Sequence, residues 1–457
     1  MKKPFFLFAL SVLLCLLLLA ACSNGHAGAS AGSPASSSAA GKSAGSPASS
    51  SAAGKSAWES AGKSAGTPDK HDAAASSAAS GDDQIPESAL KNDPLWADPD
   101  SVTAMVVSDL HYTDQKNLDH SLVPGLALSG EIADALIDEV IDRHPDVLIM
   151  TGDNTNSGGP EEVSGLTARL RRIKEEGIGI IITTGNHDFD RMDASDFEKN
   201  YFGLLTPVDR DPASLSYTAI VKDLVFLAMD DNAVYPGGEG KFSQETMKWL
   251  TQMLEKYRGS RIIFLSHHNV LYGRRESGFG PNLIGNPDLP VLLRKNKVQL
   301  AMTGHMHAQY IMEKEGLWEV LSGMPFSGSH FIGHLAVSRD RAVYYAEPID
   351  FAAYDNDLAE KLEKLDRESA DSMTQTFSAL LDRQGLKEDK KSKVLDLINR
   401  FFMYYNSGSL AEHAEELRKD PSYKTMLRTL WDYNYGRWMK EMIETTKHNA
   451  RELELNF

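Results

Sequence analysis

Five short clusters of aspartate, asparagine and histidine occur along this chain and could together hold metal ions. They are Asp109-Leu110-His111, Gly152-Asp153, Gly185-Asn186-His187-Asp188, Ser266-His267-His268 and Gly304-His305-Met306-His307. Such groups offer enough oxygen and nitrogen ligands for two divalent cations that share one carboxylate. The pattern therefore favours a hydrolase that uses two metal ions.

Each cluster follows a short apolar run that is typical of a β-strand. These runs are residues 102–107, 147–150, 178–182, 262–265 and 298–302. Stretches with helical spacing of apolar residues lie between the runs, as from Ile132 to Ile141. The alternation predicts an α/β fold with mostly parallel strands over residues 95–350. In such sheets a site lies beyond the carboxyl ends of the strands, where all five clusters are expected.

Taken in order, the clusters resemble the calcineurin-like metallophosphoesterase family over about residues 102–345. The resemblance implies a two-sheet sandwich flanked by helices (αββα) and two divalent metal ions. Manganese, iron and zinc all suit carboxylate, amide and imidazole ligands. The ligands that it implies are Asp109, His111 and His307 for the first metal, Asp153 as the bridge, and Asn186, His267 and His305 for the second.

The same resemblance implies roles for two residues that do not bind metal. His187 would face the phosphate and stabilise charge or protonate the leaving oxygen, while a hydroxide shared by the metals attacks. Asp188 would orient the His187 ring, as carboxylates often do for imidazoles near metals. A purely structural hydrogen bond is the alternative for His187. At the fourth cluster His267 is preferred as the ligand, and His268 would lie at the pocket rim or pack inward.

Two further groups of polar residues allow a functional and a structural interpretation. Arg274 and Arg275 lie in a glycine-rich loop and could meet a substrate phosphate or simply be solvated. Residues 230–232, Asp-Asp-Asn, end another apolar run and could support the metal ligands or form a turn. Spacing alone does not choose between these interpretations.

The N-terminal segment, residues 1–22, is typical of an export signal. Lys2 and Lys3 precede an apolar run over residues 5–19, which is followed by small residues and Cys22. The end of this segment resembles the bacterial lipobox, which implies cleavage before Cys22 and lipid attachment to it. The protein is then expected on the outer face of a bacterial membrane, held by its lipid. The alternatives are an ordinary secreted protein and a permanent membrane helix, for which the run is short.

The segment after Cys22 is expected to be a flexible tether over residues 23–94. The part from Ser23 to Asp83 is rich in Ser, Ala and Gly, and residues 31–43 are repeated identically at 44–56. Such a composition buries too little apolar surface to fold. The net charge of −17, from 64 acidic and 47 basic residues, argues against binding of a nucleic-acid polymer.

Beyond residue 350 the composition predicts an all-α C-terminal domain over residues 351–457. Apolar residues recur at helical spacing, for example Leu358, Leu362 and Leu365. A helical extension at this place resembles the C-terminal domain of bacterial class III cyclic nucleotide phosphodiesterases.

The sequence thus predicts an exported, lipid-anchored phosphodiesterase with two metal ions that acts on a small phosphate ester. Cyclic nucleotides are the favoured substrate class, although they are made in the cytoplasm and an exported enzyme would meet other esters. A phosphomonoesterase or nucleotidase that acts on extracellular or envelope phosphate esters is the enzymatic alternative. A non-catalytic metal-binding lipoprotein is the alternative from another class.

Overall fold

The computed structural model describes residues 87–113, 124–232, 240–271 and 284–457. The predicted export signal with Cys22, the tether up to residue 86, and Arg274 and Arg275 lie outside these residues. Among the residues described, no helix combines the length and the apolar character needed to cross a bilayer.

The described residues form two β-sheets. The strands are β1 (Val102–Val107), β2 (Val147–Thr151), β3 (Gly179–Thr183), β4 (Asp209–Arg210), β5 (Tyr217–Val221), β6 (Leu224–Ala228), β7 (Ile262–Leu265), β8 (Leu300–Thr303), β9 (Tyr310–Lys314), β10 (Leu317–Leu321), β11 (Phe331–Val337), β12 (Arg341–Pro348) and β13 (Glu452–Asn456). The first sheet has the order β13-β12-β11-β1-β2-β3, and the second has the order β4-β5-β6-β7-β8-β10-β9.

Both sheets are mixed, so the prediction of mostly parallel strands is wrong. Parallel pairs join β1, β2 and β3 at one edge of the first sheet and β6, β7, β8 and β10 across the middle of the second, and the other pairs are antiparallel. The parallel strands β2, β3 and β7 are rich in Val, Ile and Leu and almost fully buried, as strands covered on both faces are. The antiparallel pairs include hairpins such as β9–β10 and β11–β12, in which the chain turns straight back.

Helices cover the sheets. They are α1 (Ser129–Arg143), α2 (Pro160–Glu175), α3 (Ala194–Tyr201), α4 (Gln244–Lys256), α5 (Leu289–Lys295), α6 (Phe351–Tyr354), α7 (Asn356–Arg383), α8 (Glu388–Asn406), α9 (Leu410–Lys419), α10 (Tyr423–Leu430) and α11 (Tyr435–Thr445). Helix α4 places Trp249 and Leu250 against buried residues of β6 and β7. The Tyr217 hydroxyl on β5 bonds the backbone N–H and carbonyl of Ile182 on β3, which links the two sheets. The predicted fold class, two sheets flanked by helices, is confirmed.

The C-terminal region is helical, as predicted, but it is not all-α. Strand β13 pairs antiparallel with β12 and returns the chain to the first sheet. Leu453 and Leu455 are buried while Glu454 is exposed, which is the alternation of a half-buried strand. The sequence analysis predicted helix throughout because this alternating pattern is only five residues long and follows a long stretch with helical spacing.

The ordered part of the chain also begins earlier than the predicted tether boundary at residue 94. Residues Ala89–Asn92 form a 3-10 turn whose Ser88 side chain accepts a hydrogen bond from the Leu90 N–H. Lys91 donates to Glu347 on β12 at 2.8 Å, which fixes this turn to the first sheet.

Candidate metal centre

All five clusters come together where parallel strands of the two sheets end. Asp109 follows β1, Asp153 follows β2, Asn186 follows β3, His267 follows β7 and His305 follows β8. Because parallel strands end at the same edge, side chains that are far apart in sequence meet in one place. The structure brings all seven predicted ligands into two groups that share Asp153.

The first group contains Asp109, His111, Asp153 and His307. The Nε2 atoms of His111 and His307 lie 3.0 Å apart. Asp153 Oδ2 is 3.5 Å from His111 Nε2, and Asp109 Oδ1 is 3.5 Å from His307 Nε2. The His307 side chain is 12% exposed and the other three are almost fully buried, so this group opens to solvent at His307.

The second group contains Asp153, Asn186, His267 and His305. His267 Nε2 lies 3.3 Å from Asp153 Oδ2 and 3.1 Å from Asn186 Oδ1. His305 Nδ1 lies 3.1 Å from the same amide oxygen and 3.3 Å from His267 Nε2. The ligand atoms of the second group therefore point to a common centre, next to that of the first.

The charges of these buried groups fit divalent cations. Burial lowers the pKa of His111 and His305 well below the usual range and that of His307 to about 4, so these rings are neutral and offer lone pairs. Burial also raises the pKa of Asp109 to about 7. Neutral imidazoles and carboxylates that lie 3.0–3.5 Å apart can turn their lone pairs toward one positive centre. Such a donor set suits divalent cations.

Asp153 and His267 carry opposite charges without any metal. Burial opposes the charged form of each. The neighbouring imidazoles of His267 and His187 nevertheless hold the pKa of Asp153 well below its usual range. The carboxylate of Asp153, with that of Asp109, raises the pKa of His267 to about 10. A cation bound between them would take the place of the His267 proton.

The backbone is strained where it presents the ligands. Left-handed φ angles of 44–69° occur at the non-glycine residues Asp109, His111, Asp153, His305 and His307. Such angles are uncommon for these residue types and cost free energy. Added Cβ atoms would lie 1.9 Å from the Asp153 backbone N at Gly185, and 1.8 Å from Ser108 Oγ at Gly304. The glycines of these motifs thus allow close approach of the loops that carry the ligands.

The structure corrects the role predicted for Asp188. This buried carboxylate accepts hydrogen bonds from the backbone and side chains of Asn154 and Thr155 and from the N–H of Gly185, and does not bond the His187 ring. Asp188 therefore holds the turn that carries Asp153. The reason is that the 3-10 turn His187–Phe189 directs neighbouring side chains in different directions.

His187 lies at the open side of the centre. Its backbone N–H donates to Asp153 Oδ1 at 2.8 Å, and its side chain is 20% exposed. The ring Nδ1 lies 3.2 Å from the Asn156 carbonyl oxygen and 3.6 Å from Asp190 Oδ2. Asp190 was missed by the sequence analysis, although its position three residues after His187 on a helical turn was a usable signal.

His268 packs inward. The carboxylate of Asp231 accepts from the His268 backbone N–H at 2.8 Å and lies 3.1 Å from its ring Nδ1. The His268 ring lies 4.2 Å from the ring of His305, between centroids. Asp230 accepts a hydrogen bond from Thr184 Oγ1, in the turn after β3. Residues 230–232 therefore bond to the segments that carry the candidate ligands.

An aromatic residue that the sequence analysis did not identify packs against the first group. The Phe326 ring lies 5.7 Å from the His111 ring and 6.3 Å from the His307 ring, between centroids. It lies in the loop after β10, which carries none of the five clusters.

A third cluster of acidic residues and histidine lies on the first sheet, beside two cationic side chains. It contains Glu139, His334 and Glu347. Arg143 and Lys91 contact Glu347 at 2.9 and 2.8 Å, and Arg143 is 3.5 Å from Glu139. Arg143 and Lys91 already place positive charge beside these carboxyl groups, so a divalent cation is disfavoured there.

Comparisons with known proteins agree with this geometry. Residues 102–309 match the model of the family described as calcineurin-like phosphoesterase. The chain is 27% identical over 236 residues to a Synechococcus protein named a probable cyclic nucleotide phosphodiesterase, covering 50% of this chain and 83% of that protein. It is 25% identical over 166 residues to an Arcobacter nitrofigilis protein named a probable glycerophosphodiester phosphodiesterase, covering 36% of this chain and 57% of that protein.

Solved structures with similar folds share little sequence with this chain. A dimetal phosphatase from Danio rerio has a TM-score of 0.43 at 14% identity, over 55% of this chain and 97% of that one. A purple acid phosphatase from yellow lupin has a TM-score of 0.38 at 15% identity, over 54% of this chain and 51% of that one. The family match and the relatives confirm the prediction of a hydrolase. Residues 102–309 therefore resemble a calcineurin-like phosphoesterase domain, and the chain is a hydrolase.

Proposed function

We propose that this protein is a phosphodiesterase that uses two metal ions to hydrolyse small phosphodiesters. The observation that carries the proposal is the shared carboxylate: Asp153 Oδ2 lies 3.5 Å from His111 Nε2 in one ligand group and 3.3 Å from His267 Nε2 in the other. A structural metal site closes its ligand shell, whereas this centre opens at His307 and His187. That opening supports an enzyme over a metal-binding protein without activity.

The residues of the two groups would each have a defined task. Asp109, His111 and His307 would hold one cation, Asn186, His267 and His305 the other, and Asp153 both. When bound, the cations would neutralise phosphate oxygens and make water acidic enough to attack at neutral pH. His187, fixed by its backbone bond to Asp153, would contact a phosphate oxygen or protonate the leaving oxygen.

The preference for diesters is supported by the two relatives named above. Their names specify a cyclic nucleotide and a glycerophosphodiester, which are both small phosphodiesters. Cyclic nucleotides are therefore the first substrate class to test, and glycerophosphodiesters the second. Manganese, iron and zinc remain the candidate metals.

An assay with two model esters tests this proposal directly. The protein lacking the predicted export signal is stripped of metal, reloaded with Mn²⁺ and given bis-p-nitrophenyl phosphate or p-nitrophenyl phosphate. We expect a higher kcat/KM for the diester. A higher value for the monoester would favour a phosphomonoesterase or nucleotidase. No turnover of either ester with manganese, iron or zinc would favour a metal-binding lipoprotein.

We also propose that Cys22 carries a lipid that holds the enzyme on the outer face of a bacterial membrane. The lipobox-like end of the apolar run supports this location. Expression in a bacterium with radiolabelled palmitate should label the wild-type protein and leave Cys22→Ser unlabelled. Equal labelling of the two proteins would contradict the anchor.

A further inference from the structure

The loop of residues 322–330 forms one wall of the first ligand group. It joins β10 to β11 and places Phe326 edge-on to His111, with ring planes at 89°. Phe326 is only 3% exposed, so its ring packs against the ligand imidazoles and is not open to a substrate. A buried ring in this position restricts how the imidazoles of His111 and His307 can turn.

Two helices of the C-terminal region hold this loop. His330 Nδ1 lies 2.8 Å from the Pro325 carbonyl oxygen within the loop, and its Nε2 lies 2.9 Å from Asp366 Oδ2 on α7. Because a carbonyl oxygen only accepts, Nδ1 is the donor and the ring orientation is defined. The Ser329 hydroxyl donates to the carbonyl of Asn406 at the end of α8, at 2.7 Å.

His330 is itself held in an unfavourable backbone conformation. Its φ angle is 49°, in the left-handed region, and the residue is 9% exposed. A histidine remains in such a conformation only where its surroundings compensate for the cost. The bonds to Asp366 and Pro325 provide that compensation, which ties the path of the loop to α7.

Further contacts hold Phe326 and the loop that carries His305 and His307. A Cβ atom at Gly125 would lie 2.0 Å from the Phe326 carbonyl oxygen, so the 3-10 turn Pro124–Leu128 packs directly on the loop. Met306, between the ligands His305 and His307, is 4% exposed and belongs to the hydrophobic cluster that contains Phe377 of α7 and Phe402 of α8. The C-terminal helices therefore support the ligands both directly and through the 322–330 loop.

We infer that Phe326 and His330 are positioning residues, through which α7 sets the affinity of the first metal. The inference rests on the proposed function only in taking the centre to bind two metals. Met306 lies beside a ligand of each group, so the path that distinguishes the two groups is the 322–330 loop. Phe326 of this loop packs on His111 and His307, whereas His267 and Asn186 of the second group are held by the Thr151 carbonyl, Asp153 and His305. Weakening the contact between α7 and the loop should therefore affect one metal and spare the other.

The Asp366→Ala variant tests this inference, with Asp371→Ala as its matched control. Both residues lie on α7. The Asp366 side chain is 40% exposed and Asp371 is exposed, so neither change removes core packing. Mn²⁺ is titrated into the metal-free protein by calorimetry. We expect roughly tenfold weaker binding of one of two ions in Asp366→Ala, and wild-type binding in Asp371→Ala. Asp366→Asn keeps an acceptor oxygen and should restore part of the affinity.

Hydrogen exchange of the metal-free proteins provides a second readout. The 322–330 loop should exchange faster in Asp366→Ala than in wild type or Asp371→Ala. Binding of both ions that is equal in Asp366→Ala and Asp371→Ala would refute the inference, as would equal weakening of both sites. A wild-type protein that binds two ions but hydrolyses no ester would refute the proposed function alone. A wild-type protein that binds fewer than two would refute both.

Discussion

At the scale of single residues, the convergence of the candidate ligands was predictable, whereas the contacts of their neighbours were not. Carboxylate, amide and imidazole groups behind strands indicate a metal site. Which neighbouring carboxylate contacts which histidine depends on the direction of each side chain, and here a local turn sets that direction. The 3-10 turn at His187 turned Asp188 away from that ring and left Asp190 beside it.

Replacing Asp153 and His187 should separate metal binding from turnover. Asp153 contacts both ligand groups, so Asp153→Ala should lose both metal ions and all activity. His187→Ala should keep both ions and lower kcat by about 10²–10⁴-fold, because only its ring is removed. Metal content by mass spectrometry and kcat on bis-p-nitrophenyl phosphate check both. Equal metal loss in the two variants would contradict the assigned roles.

Replacing Asp188 should lower the stability of the protein, whereas replacing Asp190 should lower its catalytic rate. Asp188→Asn puts an amide where a buried carboxylate accepts from Asn154, Thr155 and Gly185, so the melting temperature should fall by several degrees. Asp190→Asn, at a half-exposed side chain, should leave melting unchanged and lower kcat more for alkyl than for nitrophenyl leaving groups. The opposite assignment of these effects would refute the geometry described for His187.

At the scale of elements, the parallel strands that carry the five clusters were predictable, and the antiparallel strands β11 and β13 were not. The apolar runs at 102–107 and 262–265 coincide with β1 and β7. Burial on both faces leaves a local signature there. In contrast, β11 pairs with β1 although β2 to β10 lie between them along the chain, and β13 pairs with β12 although α6 to α11 lie between. Such pairings are selected by the packed structure, and short local patterns do not reveal them.

The loop after β8 offers a test of close packing between elements. In Gly304→Ala the new methyl group would meet Ser108 Oγ at 1.8 Å and Asp109 Oδ2 at 2.6 Å. The loop or Asp109 must move, so we expect the first metal to bind at least tenfold more weakly. Gly203→Ala is the control, because no atom of the described chain lies within 4 Å of its added Cβ. Mn²⁺ titration of both variants is the measurement, and equal affinities would show that the loop adapts freely.

At the scale of the whole molecule, elements that are far apart along the chain pack around the candidate metal centre. The candidate metal centre draws residues from both sheets. The C-terminal helices share a hydrophobic cluster with Met306, in the loop after β8, and with Tyr310 and Leu321 of the second sheet. The sequence analysis predicted a helical C-terminal domain from its apolar face, but helical spacing alone does not show which residues cover such a face. In the structure, the second sheet and the loop that carries His305 and His307 cover the apolar face of these helices. The helical region therefore contacts the candidate centre directly.

Glu139 lies outside the candidate metal centre and should make the free energy of unfolding depend on pH. Burial raises the pKa of this carboxyl to about 7, from 4.5 in a model compound, and its Oε2 has no hydrogen-bond partner in the part of the chain that the structure describes. The folded protein therefore holds this proton more tightly than the unfolded chain. The associated stability is present below pH 4.5 and is lost as the pH rises to about 7.

Glu139→Gln cannot ionise and should be more stable than wild type at pH 8, by about 1–3 kcal/mol, with a much smaller difference at pH 4.5. Urea unfolding of both proteins at several pH values measures this difference, in which titrations common to the two proteins cancel. Glu161→Gln, at an exposed carboxylate in the first turn of α2, should follow wild type throughout. Parallel stability curves for Glu139→Gln and wild type would mean that Arg143 keeps the buried carboxylate charged at no cost, and that the cluster on the first sheet is a closed ion-pair network.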